Sequence, residues 1–458
     1  MILLYSFCFM KFLRWTFRIL GFLLLILIVF LAVSLAPVDT TPYREMAYYR
    51  QTMQRLAALP APDPARVPLR AGWAKIHLTP AYTTPTGGYG VRRGAHWKTV
   101  HDSIFVRTLV LDNGTSRVAV VGLDMLITPP TVTEQLKKRL PEVGMRWENV
   151  YTGAIHTHNS LGGWAPGLVG ELISGDFEER IVKHVTDRVL ESIRLAQNQL
   201  APVQIGYGQA DAAEFLYNRL DETAPVDGPL RLLKLRKSDG QTALLCTFAG
   251  HATIIDAKRG KTFLSRDYPG ELVDRLESGT TDFALFLAGA VGSMGPRLKE
   301  TDDFKNTRSY ADSLAGRIRR VWPTIAVRPD SALGLLTLPV SLREPHARIL
   351  NNWRIRPWLF KAVYGDYPSE VKALRIGKTA LVGAPADFSG ELVPALDSTA
   401  RRRGYNLMVT SFNGGYIGYV TPDEYYSMNK YETRDMNWFG PYNGAYFTEI
   451  MEAVINKL

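Results

Sequence analysis

Cysteine is nearly missing from this chain: 458 residues contain two, Cys8 and Cys246. That count excludes a disulfide framework and any multi-cysteine zinc or iron–sulfur site. Cys246 lies inside an apolar run and reads as an inert core residue. Acidic residues are missing before Asp39. No run of Lys and Arg of the kind a nucleic-acid binder carries is found. The glycine-rich stretch AGAVGSMG at 288–295 lacks the Lys-Ser/Thr ending of a phosphate-cradling loop, and no acidic ribose reader accompanies it. Neither nucleic acid nor nucleotide is therefore expected as a partner. Internal repeats and low-complexity tracts are missing as well. With 46% hydrophobic and 21% charged residues, the chain has material for a large packed core, and disorder is not expected.

The apolar residues that are present are spread unevenly. Residues 19–36, ILGFLLLILIVFLAVSLA, are eighteen without a charge, preceded by Lys11, Arg14 and Arg18. Such a run can cross a bilayer, and its basic flank is expected to stay cytoplasmic. A cleavable signal peptide is the rival reading, because Ser34-Leu35-Ala36 has small residues at the right spacing. Pro37 would obstruct that cut, which favours an uncleaved anchor. The expected location is membrane-anchored, with the rest of the chain on the extracytoplasmic side, periplasmic or at the cell surface. Setting aside residues 1–37 removes three cations and no anion, so the formal charge falls from +10 to about +7. That modest excess suits a soft attraction to anionic lipid headgroups.

Three regions are expected: an anchor or signal segment at 1–37, a juxtamembrane helix and proline-rich spacer at 38–70, and one large domain at 71–458. Within that domain, strands are expected at 104–111, 118–123, 283–287, 333–340, 373–382 and 407–411, with a hairpin pairing 230–235 and 243–248. Helices are expected at 131–140, 177–200, 303–321 and 389–403. The clearest is 177–200, where Ile181, Val185, Val189 and Ile193 share one face. The fold class is α/β, with mixed β-sheets and flanking helices behind one N-terminal transmembrane helix. The segment 347–365 interleaves Arg348, Arg354, Arg356 and Lys361 with Trp353, Trp358, Leu359 and Phe360. That mixture suits a membrane interface, or else a polar-faced helix covering the core.

Eight histidines occur, and two form His156-Thr157-His158 at the end of the strand-like NVYTGAIHTH. Residues two apart on a strand point to one face, so both imidazoles can converge. His251 follows another strand-like run, TALLCTFAGHAT. Three histidines at two strand ends fit a metal site, and catalytic zinc takes about three protein ligands with a place left for water.

At this point the sequence resembles a known family. GAIHTHNSLGG is similar to the THTHSGPGG motif of the neutral/alkaline non-lysosomal ceramidases, zinc-dependent amidohydrolases that cut the N-acyl bond of ceramide. Further blocks fall in the family's order: AGWAKIHLTP with VHDSIFVRTLVL, LYNRLDETAPVDGPLRLLKL, TFAGHATII with FLSRDYPGEL, LFLAGAVGSMGPR, ALVGAPADFSGEL and NGGYIGYVTPDEY. The likeness runs from about residue 71 to the C-terminus, and it identifies the chain as a divergent, bacterial-type member with the family's N-terminal catalytic domain.

The resemblance implies zinc held by His156, His251, Asp387 and Tyr419. Aspartate stands where the family has glutamate, and Glu391 is the rival acidic ligand. It also implies His158 as proton shuttle, with Arg219 and Tyr419 stabilising the intermediate as zinc-activated water attacks an amide. The family's conspicuous serine falls on Gly295, and Ser293 stands where the family has aspartate, so a serine nucleophile is not supported. The immunoglobulin-like domain common in the family is not expected after the Tyr419 segment. The implied function is a membrane-anchored zinc amidohydrolase for ceramide or a related N-acyl lipid. The alternative is a non-catalytic or differently specific relative that binds a surface lipid or glycan.

Overall fold

The computed structural model describes residues 2–458 apart from 63–64, 257–261, 300 and 351, with side chains from residue 10 onward. Part of the proline-rich spacer and the Cys8 side chain thus lie outside the described residues. The apolar run belongs to α1 (Ile2–Ser34), of which Met10–Ser34 is long and apolar enough to cross a membrane and is not covered by the rest of the chain. α2 (Ala47–Ala58) turns its buried Tyr48, Thr52 and Leu56 onto the C-terminal part of the chain. Thr52 Oγ1 and Tyr446 Oη share a buried hydrogen bond of 2.8 Å there.

Eight strands make the main path of a nine-stranded sheet. They are β1 (Arg70–His77), β2 (Phe105–Asp112), β3 (Arg117–Leu123), β4 (Val150–Ala154), β5 (Ala201–Asp211), β6 (Pro229–Lys237), β7 (Thr242–Phe248) and β8 (Phe283–Ala288). Their spatial order is β8-β7-β6-β5-β1-β2-β3-β4, and Arg328–Pro329 joins β5 off this path. The central pairs are antiparallel, whereas β3–β4 and β7–β8 are parallel. The expected mixed sheet is therefore present. Runs such as Val118–Val121 lack polar alternation because both faces of the sheet are covered.

The sheet doubles back on itself. Leu109, Leu111, Val118 and Val120 of one half share a core with Leu233, Leu235, Leu245 and Leu285 of the other. Close approach requires glycine at the crossing: a Cβ on Gly122 would lie 2.4 Å from Leu285 Cδ1. Helices cover the two outer faces. α3 (Pro130–Arg139), the short α4 (Leu168–Ser174) and α5 (Glu179–Asn198) follow β3 and β4, and α5 lies across β1 and β2 with Ile181, Val185, Val189 and Ile193 buried. α6 (Asp267–Glu277) and α7 (Asp303–Val321) pack against each other over β8 and β5.

A second sheet follows, built from β9 (Leu333–Val340), β10 (Ser369–Ile376), β11 (Thr379–Gly383) and β12 (Asn406–Thr410) in that order, with β11 and β12 parallel. The single strand expected at 373–382 is in fact the hairpin β10–β11. Gly377 takes φ 59° and turns the chain there, a conformation glycine adopts without a Cβ clash. The segment 347–365 is a hairpin, Arg348–Leu350 with Trp353–Ile355, followed by α8 (Pro357–Tyr364). α9 (Val393–Arg402), α10 (Asn443–Ile455) and α2 complete a core around Phe360, Phe388, Trp438 and Phe447.

Candidate metal centre

The carboxyl ends of β4, β7, β8, β11 and β12 gather at one rim, and the loops leaving them carry the site. β4 stops at Ala154, so His156 lies beyond the strand and not on it. Its φ is 66°, in the left-handed region, which costs a non-glycine residue about 1–2 kcal/mol. The His156 amide donates to Met125 O at 3.0 Å, and its Nδ1–H donates to Leu126 O at 2.7 Å, which hold the kink. Phe412 stacks on the ring, with centroids 4.2 Å apart and planes 12° from parallel. This kink, not strand alternation, lets His156 and His158 aim at one point.

Each imidazole rests its Nδ1 on a backbone carbonyl: His156 on Leu126, His158 on Gly88 at 3.2 Å, His251 on Val291 at 3.3 Å. A carbonyl can only accept, so all three Nδ1 atoms carry the proton. Burial lowers the basicity of all three rings, with His158 pushed down to about 3, and nearby Arg219 adds to the effect. Neutral rings protonated at Nδ1 have bare Nε2 lone pairs. Those three Nε2 atoms face one another at 2.9 Å, 3.2 Å and 3.2 Å. Three lone pairs so close repel unless a metal cation or a proton lies among them, and orientation by a second-nitrogen hydrogen bond is how metal-bound histidines are held.

Asp387 places a carboxylate beside the rings. It is fully buried, and its Oδ2 accepts from Tyr416 Oη at 2.9 Å. Its Oδ1 receives no hydrogen bond from any described residue and lies 3.4 Å from His156 Nε2. An unsatisfied buried oxygen is costly, so it too calls for a cation. Burial raises the carboxyl to about 7, opposed by the Tyr416 hydroxyl and the Arg219 charge. Asp387 pairs in register with Tyr419 between two short parallel strands. The loop after β8 presses on this strand, since a Cβ on Gly292 would lie 2.5 Å from Asp387 O. The three imidazole nitrogens form a donor set that can hold a metal ion, and Asp387 Oδ1 lies 3.4 Å from one of them.

Arg219 is fixed on three sides. Its Nη2 donates to Gly292 O at 2.7 Å and to Tyr419 Oη at 3.3 Å, and its Nε lies 3.2 Å from Glu432 Oε1. Residues 72–281 match the family model for neutral/alkaline non-lysosomal ceramidase, N-terminal. This stretch belongs to that family.

The ceramidase fold extends well beyond the matched stretch. The structure of neutral ceramidase from Pseudomonas aeruginosa superposes with a TM-score of 0.73 at 20% identity, covering 86% of this chain and 75% of that one. A second structure, a ceramidase complexed with C2, gives 0.73 at 19% identity, covering 85% and 76%. At these identities the likeness establishes the fold.

Within this ceramidase-like fold, His156, His158, His251, Asp387, Arg219 and Tyr419 are drawn into one neighbourhood from five separate segments. Glu391 is engaged elsewhere: Ser293 Oγ and Asn218 Nδ2, the latter at 2.7 Å, both donate to it. Ser293 thus braces Glu391. Gly295 lies under Tyr217, where a Cβ would meet the ring at 2.5 Å, so a side chain there would require the exposed Tyr217 ring to swing aside.

Sequence reasoning passed over Tyr416, Phe412, Glu432, Tyr89 and Arg92. Tyr89 lies 4.7 Å from the His158 ring, and Arg92 Nη1 donates to His158 O at 2.8 Å. Only Tyr416 had a visible signal, as the first tyrosine of Tyr416-Ile417-Gly418-Tyr419. Tyr416→Phe frees Asp387 to turn and is expected to weaken metal affinity about 10–100-fold, read by competition with a chelator of known affinity.

Proposed function

We propose that the chain is a membrane-anchored, zinc-dependent amidohydrolase that cleaves the N-acyl bond of ceramide or a related N-acyl lipid. The observation that carries this reading is the convergence of bare imidazole nitrogens on the unsatisfied Asp387 Oδ1 within a ceramidase-family fold. His156, His251 and Asp387 would hold zinc, with Tyr419 as the remaining ligand. Zinc bound there would supply a Lewis acid for the amide carbonyl and a source of hydroxide near neutral pH.

The protein's own groups divide the remaining work. Arg219, pinned between Gly292, Tyr419 and Glu432, keeps a fixed cation beside Tyr419, ready for an oxyanion. His158 is the one imidazole of the three that keeps some exposure, and it would carry the proton to the leaving amine. Ser293 and Asn218 would hold Glu391 away from the metal, leaving Asp387 as the acidic ligand. The anchor reading, residues 1–37 ahead of a 38–70 connection and a 71–458 hydrolase domain, is supported by Leu35–Pro37. These residues pair with Trp353–Ile355, and a cut after Ala36 would break that strand.

The test uses the purified full chain. It is expected to carry stoichiometric zinc and to release fatty acid from a short-chain fluorescent ceramide. Chelation should abolish turnover and zinc alone should restore it. Turnover unaffected by chelation, or a zinc-free chain that binds lipid without cleaving it, would overturn the proposal. Cleavage of other N-acyl compounds but not ceramide would keep the chemistry and change the substrate.

A further inference from the structure

We infer that the face of the domain beside α1 is a bilayer-docking surface that holds the His158 side of the site against the lipid headgroups. The inference rests on the anchor reading of α1 but not on the nature of the reaction. α1 is bonded to the domain at its exit. Arg356 N donates to Ser34 O at 2.7 Å and Val38 N to Asn352 O at 2.9 Å, flanking the Leu35–Pro37 strand. Trp358 Nε1 reaches back to Val33 O at 2.9 Å and Arg356 Nε to Leu35 O at 3.0 Å. α8 is itself rooted in the core by the buried Phe360, which stacks on Tyr364 at 4.3 Å and meets Trp438 at 5.8 Å. The helix therefore leaves the domain at a fixed place.

From that place an unbroken run of contacts leads to the site. α8 packs on α4, and α4 packs on the turn Gly90–Arg92. The same turn region grips His158 through Arg92 and Gly88 O. Along these elements six large apolar side chains stand in the open: Val91 at 72%, Leu168 at 73%, Leu172 at 56%, Leu350 at 64%, Trp353 at 46% and Trp358 at 49%. Soluble surfaces seldom gather so many together, and tryptophan favours the membrane–water boundary. Arg93, Arg356 and Lys361 are exposed cations on the same elements, suited to lipid phosphates. The occupant is a bilayer because α1, uncovered along its apolar length, leaves from this same face. A lipid with a buried acyl chain would then reach His158 without crossing bulk water.

Site-specific quenching on the full chain tests this. In a Cys8→Ser background, with Cys246 buried and unreactive, an environment-sensitive fluorophore is attached at Leu172→Cys or at Ser238→Cys. Ser238 is exposed in the β6–β7 turn, at the sheet rim opposite the carboxyl end of β7 that carries His251. Each protein is reconstituted into nanodiscs of phosphatidylcholine and phosphatidylglycerol, with and without a shallow doxyl-labelled lipid. Interfacial groups sit about 5–10 Å into the headgroup boundary, within reach of that quencher. The Leu172 probe should lose most of its emission while the Ser238 probe keeps its own. If the chain stays with the discs and neither probe is quenched, the docking surface is overturned and the anchor stands. If both are quenched equally, the specific face is overturned. If the chain does not associate with discs at all, the anchor reading falls and the docking surface falls with it.

Discussion

Alanine at His156 is expected to empty the centre of zinc and to lower amide hydrolysis by at least about 100-fold. The size follows from what this ring does. It presents one lone pair to the ion site, faces Asp387 at 3.4 Å, and is locked by Leu126 O and the Phe412 ring. Truncation removes a ligand and leaves Asp387 Oδ1 and His251 Nε2 with nothing to neutralise them. His158→Ala is the informative partner. If His158 moves a proton and does not bind zinc, its loss keeps the metal and costs about 100-fold or more in kcat. Metal content measured beside turnover separates the two roles, and equal zinc loss in both variants would make His158 a ligand.

Arg219→Ala should retain stoichiometric zinc and still lose about 100- to 1000-fold in kcat, the usual cost of removing one donor that faces a developing oxyanion. The change also strands Glu432, whose carboxylate is mostly buried and lies 3.2 Å from Arg219 Nε, so a stability loss of about 3 kcal/mol accompanies it. The double variant Arg219→Ala/Glu432→Gln removes the orphaned charge and should recover much of that stability. Turnover should not recover with it. Recovery of both would reduce Arg219 to a structural role.

Much of this site is legible in the residues themselves. The His156-Thr157-His158 pair, His251 after its strand and the Tyr416–Tyr419 spacing are local signals, each carried by a few neighbouring positions. Strands such as β9 and helices such as α7 fall where apolar patterning puts them, since one buried face dictates one period. What stayed hidden depends on distant partners. The left-handed turn at His156 is stabilised by Met125 and Leu126 from another loop, and the Phe412 ring arrives from the end of β12. The β10–β11 turn interrupts a run whose composition is strand-like throughout, with Gly377 the one mark of it. Asp387 and Glu391 could not be ranked from sequence, because Ser293 and Asn218, which occupy Glu391, come from two other segments.

The pairing of the α1 exit with a late hairpin has a consequence for folding. Leu35–Pro37 finds Trp353–Ile355 only after most of the chain has been made, and Tyr43 Oη bonds Glu449 across a separation of 406 residues. Contacts so distant in sequence form slowly, because a very long loop must close before they contribute. The contacts of Leu35–Pro37 and Tyr43 are therefore among the last to settle. Until then α2 carries Tyr48 and Leu56 without their partners on α10 and β9, as an uncovered apolar surface. Removal of α10 would leave α2 and the Tyr43 hydroxyl without their partners near the other end of the chain.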